Sequence, residues 1–513
     1  MSSDEVEVVV EEGAQPVEPE AAAPWNRLSV RMIPVDLART AVSLLPAVVA
    51  FVVLDVPVNA GTTVPLAFIA VLGAGGAVAD VVRWVTTRYR VTERHVERRT
   101  GLLVRRYRSI RRDRIRSVDV DARLRHRVAG LRVVTVGAGQ QTGAAESALA
   151  LDALARTDAL ALQSALLGSG HEATDHATGR LATARPWWAV YQAVSLWSLM
   201  MGAGLLWGGG FALSTFGVDV LDDAARLVDW DDRGALASIM LVLSAVLAVG
   251  AVGMAISYVL TYWAFTLSRV TTDHGTSIRT RHGLLRTREV NRDEARMRGV
   301  IVSEPLPWRW MRATDLEILT TGLNLWSANE PSRLLPRAPR SVATGVAARV
   351  LDADHDPLAA PLLRHPRSAL RRRIVWATVV STALLAVVAW LTVIDVVPGW
   401  TVGAAAGAWP AAVLAAFVAY YALGHAVTER HLVVRSGLTS RRTAVLQRDA
   451  VSTVVVRQSV LQRRLGLRTM TGATAAGWGG YPAVDVAADD AWELAHSVLP
   501  GLLEEFREPA GHR

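Results

Sequence analysis

Two short stretches hold the residues best suited to acid/base chemistry. Thr92-Glu93-Arg94-His95 recurs as Thr428-Glu429-Arg430-His431, each placing a carboxylate two positions before an imidazole. On a strand these side chains would share a face, the geometry of a proton-relay pair. Neither copy has a nucleophile or second carboxylate beside it, and the middle of the chain offers only the adjacent Asp273 and His274. A catalytic site needs more convergent groups than that, so no catalytic residues are expected and the chain reads as a non-enzyme. The 513 residues include no cysteine and no lysine. That excludes disulfides, thiolate metal sites, cysteine nucleophiles and Schiff bases. His171, His176 and His365 lack metal-ligand spacing; no metal and no cofactor is expected.

Arginine is the remaining chemistry, since all 55 basic side chains are arginine. Residues 88–132 carry 16 arginines against five acids, residues 428–468 nine against two, and residues 269–312 ten against five. The densest run supplies a candidate contact with anionic lipid headgroups: Arg105, Arg106, Arg108, Arg111, Arg112, Arg114 and Arg116. An arginine held within a Debye length of an anionic leaflet gains about 1 kcal/mol. The plainer reading is a solvated strand face that obeys the positive-inside rule. A third reading folds the acidic amino-terminal tail back onto this patch. That tail carries Asp4, Glu5, Glu7, Glu11, Glu12, Glu18 and Glu20 with no basic residue. Nucleic acid is not expected as a partner despite a pI near 10.4, because no reading motif accompanies the charge. Most tryptophans (Trp25, Trp84, Trp187, Trp188, Trp376, Trp400) flank apolar runs, as in an interfacial belt.

The elements that must position these arginines are membrane helices. The chain is 51% hydrophobic, and six runs are long enough to cross a bilayer, which takes about 20 apolar residues. They pair as hairpins: 37–57 with 62–82, 188–211 with 236–262, and 374–397 with 401–424. Glycines inside them (Gly73, Gly75, Gly76, Gly202, Gly204, Gly208, Gly403, Gly407) fit close helix packing. The turns at 55–63 and 395–400 hold no basic residue and the loop near 219–232 is acidic, whereas the opposite flanks are rich in arginine. A multi-pass protein of the cytoplasmic cell membrane is expected, with both termini and all large polar regions cytoplasmic. The domain plan is a disordered acidic tail (1–24), hairpin 1 (25–83), polar domain 1 (84–184), hairpin 2 with its acidic outer loop (185–263), polar domain 2 (264–362), hairpin 3 (363–425) and polar domain 3 (426–513).

The polar domains repeat. Thr92, Gly101, Asp113 and Gly130 return as Thr428, Gly437, Asp449 and Gly466 at a constant offset (437 − 101 = 336). The middle domain follows more loosely (283 − 101 = 182), with Gly283 in place and Arg312 where the others have glycine. β-Branched runs such as 118–120, 132–136 and 451–456, with Gly101, Gly283 and Gly437 at turns, indicate sheet. Helical spacing closes each domain: Leu151 to Leu167, Val342 to Leu351 and Trp492 to Leu502.

Tyr89, Val91, Thr92, Val96, Gly101 to Leu103, Ile110, Asp113, Ile115, Val118, Leu124, Arg127, Gly130, Leu131 and Val133 form a pattern that resembles the bacterial pleckstrin-homology-like (PH-like) membrane domain, a domain of unknown function. The threefold alternation of hairpin and domain resembles the YdbT-like bacterial membrane proteins. The resemblance implies a seven-stranded β-sandwich or barrel capped by a carboxy-terminal helix, hence six membrane helices alternating with three α+β domains, the second divergent. It implies no enzymatic activity, and links some relatives to envelope stress or antimicrobial resistance. The reading is a membrane scaffold that presents three cytoplasmic PH-like domains to anionic lipid or to an unidentified protein partner. A transporter or lipid-handling protein on the six-helix core is the alternative; against it, Asp36, Asp55, Asp80, Asp395 and His425 all lie at the ends of the apolar runs.

Overall fold

Thr87 marks the point where a long helix turns directly into a sheet, and the chain makes this transition three times. The computed structural model describes residues 24–32, single positions between 34 and 45, and residues 60–101, 105–112, 115, 117–137, 148–167, 177–214, 226, 234–272, 275–321, 333–351 and 356–500. The tail, the expected helix at 37–57 and most of the acidic loop lie outside them.

In unit 1, β1 (Asn26–Arg27) precedes the 27-residue α1 (Ala60–Thr86). Then come β2 (Arg88–Val91), β3 (His95–Thr100), β4 (Arg106–Arg111), β5 (Ser117–Arg123), the short α2 (Leu124–Val128), β6 (Leu131–Gly137), β7 (Ala148–Ala155) and α3 (Arg156–Leu167). The helical spacing read from Leu151 is interrupted here. β7 runs through Ala155 because Leu149 and Leu151 alternate into the core beside β6, and only Arg156 onward is helical. Unit 2 begins with β8 (Ala177–Thr183), α4 (Ala189–Ala193), α5 (Leu196–Ser214) and α6 (Ala235–Tyr262). It continues with β9 (Thr266–Thr272), β10 (Gly275–His282), β11 (Arg286–Asp293), β12 (Met297–Pro305), α7 (Leu306–Trp310), β13 (Ala313–Thr320), β14 (Arg333–Pro339) and α8 (Arg340–Val350). Unit 3 has α9 (Arg367–Val393), α10 (Trp400–Tyr421), β15 (Gly424–Val427), β16 (His431–Ser436), β17 (Ser440–Gln447), β18 (Thr453–Arg457), α11 (Val460–Arg464), β19 (Leu467–Ala473), β20 (Gly480–Ala487) and α12 (Ala488–Val498). The sequence puts 177–183 in the first polar domain (84–184), whereas β8 hydrogen-bonds to β9 and extends the sheet of unit 2.

Among the described residues four helices, α5, α6, α9 and α10, are long and apolar enough to cross a membrane. At 1.5 Å per residue, the 27 residues of α9 span about 40 Å, more than a hydrocarbon core of about 30 Å. Their outward side chains, among them Leu205, Phe211, Ile239, Val387 and Leu414, are exposed in the isolated chain, an apolar surface that water would not tolerate. Helix α5 and helix α6 cross at glycine. A Cβ on Gly202 would sit 1.9 Å from the Val246 carbonyl oxygen, and one on Gly250 1.7 Å from that of Ser198, so only glycine lets the backbones approach this closely.

The sheets do not stop at unit boundaries. Their orders are β1-β2-β3-β4, β7-β6-β5-β11-β10-β9-β8, β14-β13-β12-β17-β16-β15 and β18-β19-β20. The second half of unit 1 thus joins the first half of unit 2 through β5 and β11, and unit 2 joins unit 3 through β12 and β17. Both joints are antiparallel and keep one register: Arg288 faces Asp121 in the first, and Arg442 faces Ser303 in the second. Arg288 and Arg442 hold the place of Arg106 in their units, and Ser303 holds that of Asp121. Because the β12–β17 wall is packed on both faces, β12 reads as a continuous Gly-Val-Ile-Val run rather than an alternating one. Val300, Val302 and Val445 enter the core of unit 2, while Ile301, Ala444 and Leu446 enter that of unit 3.

Candidate membrane interface

The glycine turns between β3 and β4, β10 and β11, and β16 and β17 lie against helix ends. In unit 2, the Gly283 amide donates to the Trp263 carbonyl (2.9 Å), Leu284 N–H to Leu260 O (2.9 Å), and His282 Nδ1 lies 2.8 Å from Thr261 O. In unit 1, Thr87, which follows α1, meets Thr100 at the end of β3 through their hydroxyls (3.0 Å). In unit 3, Arg435 Nε donates to Ala422 O just past α10 (3.2 Å). Gly101, Gly283 and Gly437 have φ of 109°, 111° and 125°. A Cβ at Gly283 or Gly437 would stand 1.9 Å from a backbone oxygen across the turn, so the tight turn requires glycine. The residues that follow are leucines, and Leu285 and Leu438 are 46% and 42% exposed.

Three short helices share this end of the molecule. Leu306 N–H donates to Thr439 O (2.7 Å), and an Arg127 guanidinium N–H to Leu284 O, so α7 and α2 each brace the glycine turn of the next unit. Helix α11 is tied to a membrane helix instead: Gln462 donates to Asp485 (2.8 Å), which also holds Arg372 (2.6 Å) and Arg373 of α9. Each short helix projects an apolar side chain outward, Val128 (84% exposed), Trp310 (77%) and Val460 (76%). Each contains arginine in its sequence: Arg125 and Arg127 in α2, Arg309 in α7, Arg463 and Arg464 in α11. An exposed apolar residue on a short helix that also carries arginine is the composition of an interfacial segment. Gly130 and Gly466 follow two of these helices with φ of 70° and 65°; Arg312 takes the same left-handed backbone at 53°, so the fold is kept there without glycine.

The seven candidate arginines do not form one face. Arg114 and Arg116, with Asp113, lie outside the described residues. Strand alternation sends Arg106 and Arg108 to the side of buried Ile110, and Tyr107, Ser109 and Arg111 to the other; by the same alternation Arg105 belongs with the second set. They also differ in height. Arg105 and Arg106 sit beside the glycine turn, whereas Arg111 and Arg112 lie at the far end of β4, beside the β2–β3 turn. Arg112 is structural: its amide donates to Arg94 O (2.8 Å), and its guanidinium reaches Glu93 O (3.4 Å) and Ala165 O. Arg448 repeats the brace on Arg430 and Glu429, and Asp449 lies in the single helical turn after it. Toward the glycine turn, Arg99 pairs across the strands with both Arg88 and Tyr107. Half-buried Arg98 is pulled below its ordinary pKa by desolvation and donates to Ala150 O (2.5 Å).

The Thr-Glu-Arg-His motif is a turn, not a strand. Thr92 N–H donates to His95 O (2.8 Å) and His95 N–H to the Thr92 hydroxyl (2.9 Å), and Thr428 and His431 repeat both bonds at 2.8 and 3.0 Å. A threonine closing its own turn accounts for the threonine in both copies of the motif. No group of three metal-ligating residues occurs among the described residues.

A cavity of about 650 Å³ lies between α5, α6 and the Gly283 turn, lined by Met201, Leu205, Ile256, Leu260, Leu285 and, at its rim, Arg286 and Arg288. Both rim arginines are ion-paired across the first joint, Arg286 with Asp121 and Arg288 with Asp119 (3.5 Å).

Residues 41–169 and 374–500 each match the bacterial PH domain family. No curated protein and no solved structure matches the chain. The two family matches, the β-sheets and the four apolar helices among the described residues fit a membrane-associated protein that carries bacterial PH-like domains.

Proposed function

We propose that the chain is a non-enzymatic membrane scaffold whose three PH-like repeats stand in a row on the cytoplasmic face and read anionic lipid with their membrane-facing ends. The carrying observation is the shared placement of three glycine turns and three short helices at helix ends, each helix exposing an apolar residue and carrying arginine. Unit 2 completes the row because it repeats the element order and the joint register of its neighbours. Helix α1, paired with the run at 37–57, supplies the third hairpin of a six-helix core. The arginine-rich flanks support a cytoplasmic location for both termini. Lipid contact is assigned to Arg88, Arg99 and Arg105 rather than Arg111 and Arg112, because they cluster where α1 enters the sheet. The cavity beside the Gly283 turn suits an acyl chain, since its rim arginines are already neutralised.

The full chain in nanodiscs tests this. Arg88→Glu, Arg99→Glu and Arg105→Glu together should remove up to about 3 kcal/mol of attraction to anionic lipid, at ~1 kcal/mol per arginine. Enrichment of anionic over zwitterionic lipid around the protein should drop accordingly. The equally charged set Arg94→Glu, Arg111→Glu and Arg430→Glu, at the far turns, should leave enrichment intact. Equal loss in both sets would sink the assignment.

A further inference from the structure

The two joints share one register but differ in charge beside their glycine turns. In the second, the carboxylate of Glu304 is buried where β12 meets Arg441 of β17. It accepts from Arg441 Nε (2.6 Å) and lies 3.5 Å from Arg340, the first residue of α8. Burial first, and then the charges of Arg441 and Arg340, pull Arg435 below its ordinary pKa against Glu304, so all three arginines surround that carboxylate. One acid built into the chain serves them. In the first joint the place of Glu304 is held by Ala122, buried and opposite Thr287.

The arginines are nonetheless there. Arg156 opens α3 as Arg340 opens α8, its amide on Gly130 O (2.9 Å) where that of Arg340 is on Arg312 O (2.8 Å). Arg281 precedes Gly283 by two residues, as Arg435 precedes Gly437. Arg127 reaches Leu284 O across the joint, and a Cβ on Gly130 would lie 3.7 Å from Arg31 Nη1. Arg132, in the strand beside β5, stands where unit 2 has Thr314. Partial burial, then the charges of Arg156, Arg127 and Arg281, hold its pKa below the ordinary value. Four guanidinium groups from two units thus gather around the Ala122 position, with Arg31 at their edge. None of the five enters an ion pair among the described residues. The nearby acids are engaged elsewhere: Asp121 with Arg286, Asp119 with Arg288, Glu289 with Arg279, Asp152 with Arg83, and Asp158 with the Thr157 hydroxyl. Like charges gathered without a counter-ion repel one another, and an anion at this place relieves them.

We propose that the first joint binds one phosphomonoester group at the Ala122 position, held by Arg127, Arg132, Arg156 and Arg281 in place of the carboxylate that Glu304 supplies to the second joint. Guanidinium matches phosphate oxygens in a bidentate fork. A monoester brings three free oxygens and nearly two charges, which suits several arginines better than the single charge of a diester. The group arrives on a lipid headgroup or as soluble phosphate. Only that source depends on the reading that the glycine turns face the bilayer; the site does not.

Binding of radiolabelled inorganic phosphate to the full chain in detergent, at fixed ionic strength, tests the site. One phosphate per chain is expected. Arg156→Gln with Arg281→Gln, both exposed and so compatible with folding, should weaken binding about tenfold or more, since each hydrogen bond to a charged group is worth a factor of that order. Ala122→Glu should supply the missing carboxylate and abolish binding, whereas Arg340→Gln at the second joint, and the triple Arg88→Glu, Arg99→Glu and Arg105→Glu, should leave it unchanged. Nanodiscs containing phosphatidic acid, compared with phosphatidylglycerol, separate the sources. If the headgroup is the ligand, phosphatidic acid displaces inorganic phosphate and is enriched around the wild type but not around the Arg156→Gln, Arg281→Gln chain; if soluble phosphate is the ligand, its binding is the same in both discs. Either result supports the site. Absence of saturable phosphate binding, equal binding by the wild type and the Arg156→Gln, Arg281→Gln chain, or equal loss from Arg340→Gln would overturn it.

Discussion

Asp485 is the residue whose neutralisation should most loosen the third unit from its membrane helices. It is wholly buried. Its carboxylate accepts from Arg372 (2.6 Å), from Arg373 and from Gln462 (2.8 Å), joining α9 and α11 to β20. Its φ of 63° favours asparagine as the neutral substitute, since asparagine tolerates this backbone and alanine does not. Removing one partner of a buried ion pair costs about 3–5 kcal/mol. The Arg372 and Arg373 side chains are 22% and 18% exposed, so water recovers part of this and about 2–3 kcal/mol remains. Hydrogen exchange on the amides of residues 480–487 reads the effect directly, because 1.4 kcal/mol is a tenfold change in the opening equilibrium. Asp485→Asn should speed their exchange about 30- to 150-fold. Adding Arg372→Gln and Arg373→Gln should recover part of the loss, the signature of coupled neighbours. Exchange changed less than threefold by Asp485→Asn would show that the cluster does not hold the unit in place.

Two further perturbations follow from the same contacts. Gly437→Ala should lower the stability of the third unit by more than 2 kcal/mol on the order-of-magnitude scale for strained, clashing sites, because its Cβ would lie 1.9 Å from Ser440 O at φ 125°; Gly466→Asn, with nothing within 4 Å of a Cβ, should cost about 1 kcal/mol or less, and paired thermal midpoints in detergent separate the two. Burial and the neighbouring His365, whose Nε2 is 3.1 Å away, push His425 down to about 4. The unfolded histidine therefore binds its proton first as pH falls, so the associated stability is complete above about pH 6.5 and drains between there and pH 4, by about 1.4 kcal/mol per unit. His425→Gln should flatten that part of a pH-dependent melting curve, and an unchanged slope would refute the assignment.

Apolar content made the long apolar helices legible: the runs at 236–262 and 401–424 are α6 and α10 to within three residues, and the run at 374–397 is α9, which starts earlier, at Arg367, and ends at Val393. The run at 188–211 was blurred at its start, because Trp188 and Tyr191 are buried beneath α6 and only Leu196 onward is the long helix. Strand sharing between units was hidden, since edge pairing leaves no periodicity; only the acids of β5 opposite the arginines of β11 hint at it. The arginine run was visible as charge, but its division into two faces and two heights needed the turn at Gly101 and the brace by Arg112. Asp485 carried no signal at all, because its partners come from 113 and 112 residues away.

The central claim is that the glycine turns and short helices face the bilayer while the threonine-closed turns point away. A polarity-sensitive fluorophore on single cysteines replacing Val128, Val460, Arg94 and Arg430, in the full chain reconstituted in nanodiscs, measures this in one series. Blue-shifted emission quenched by lipid-borne quenchers at Val128 and Val460, with water-like emission at Arg94 and Arg430, is the predicted result. Water-like emission at all four, or quenching at the threonine turns, would contradict it.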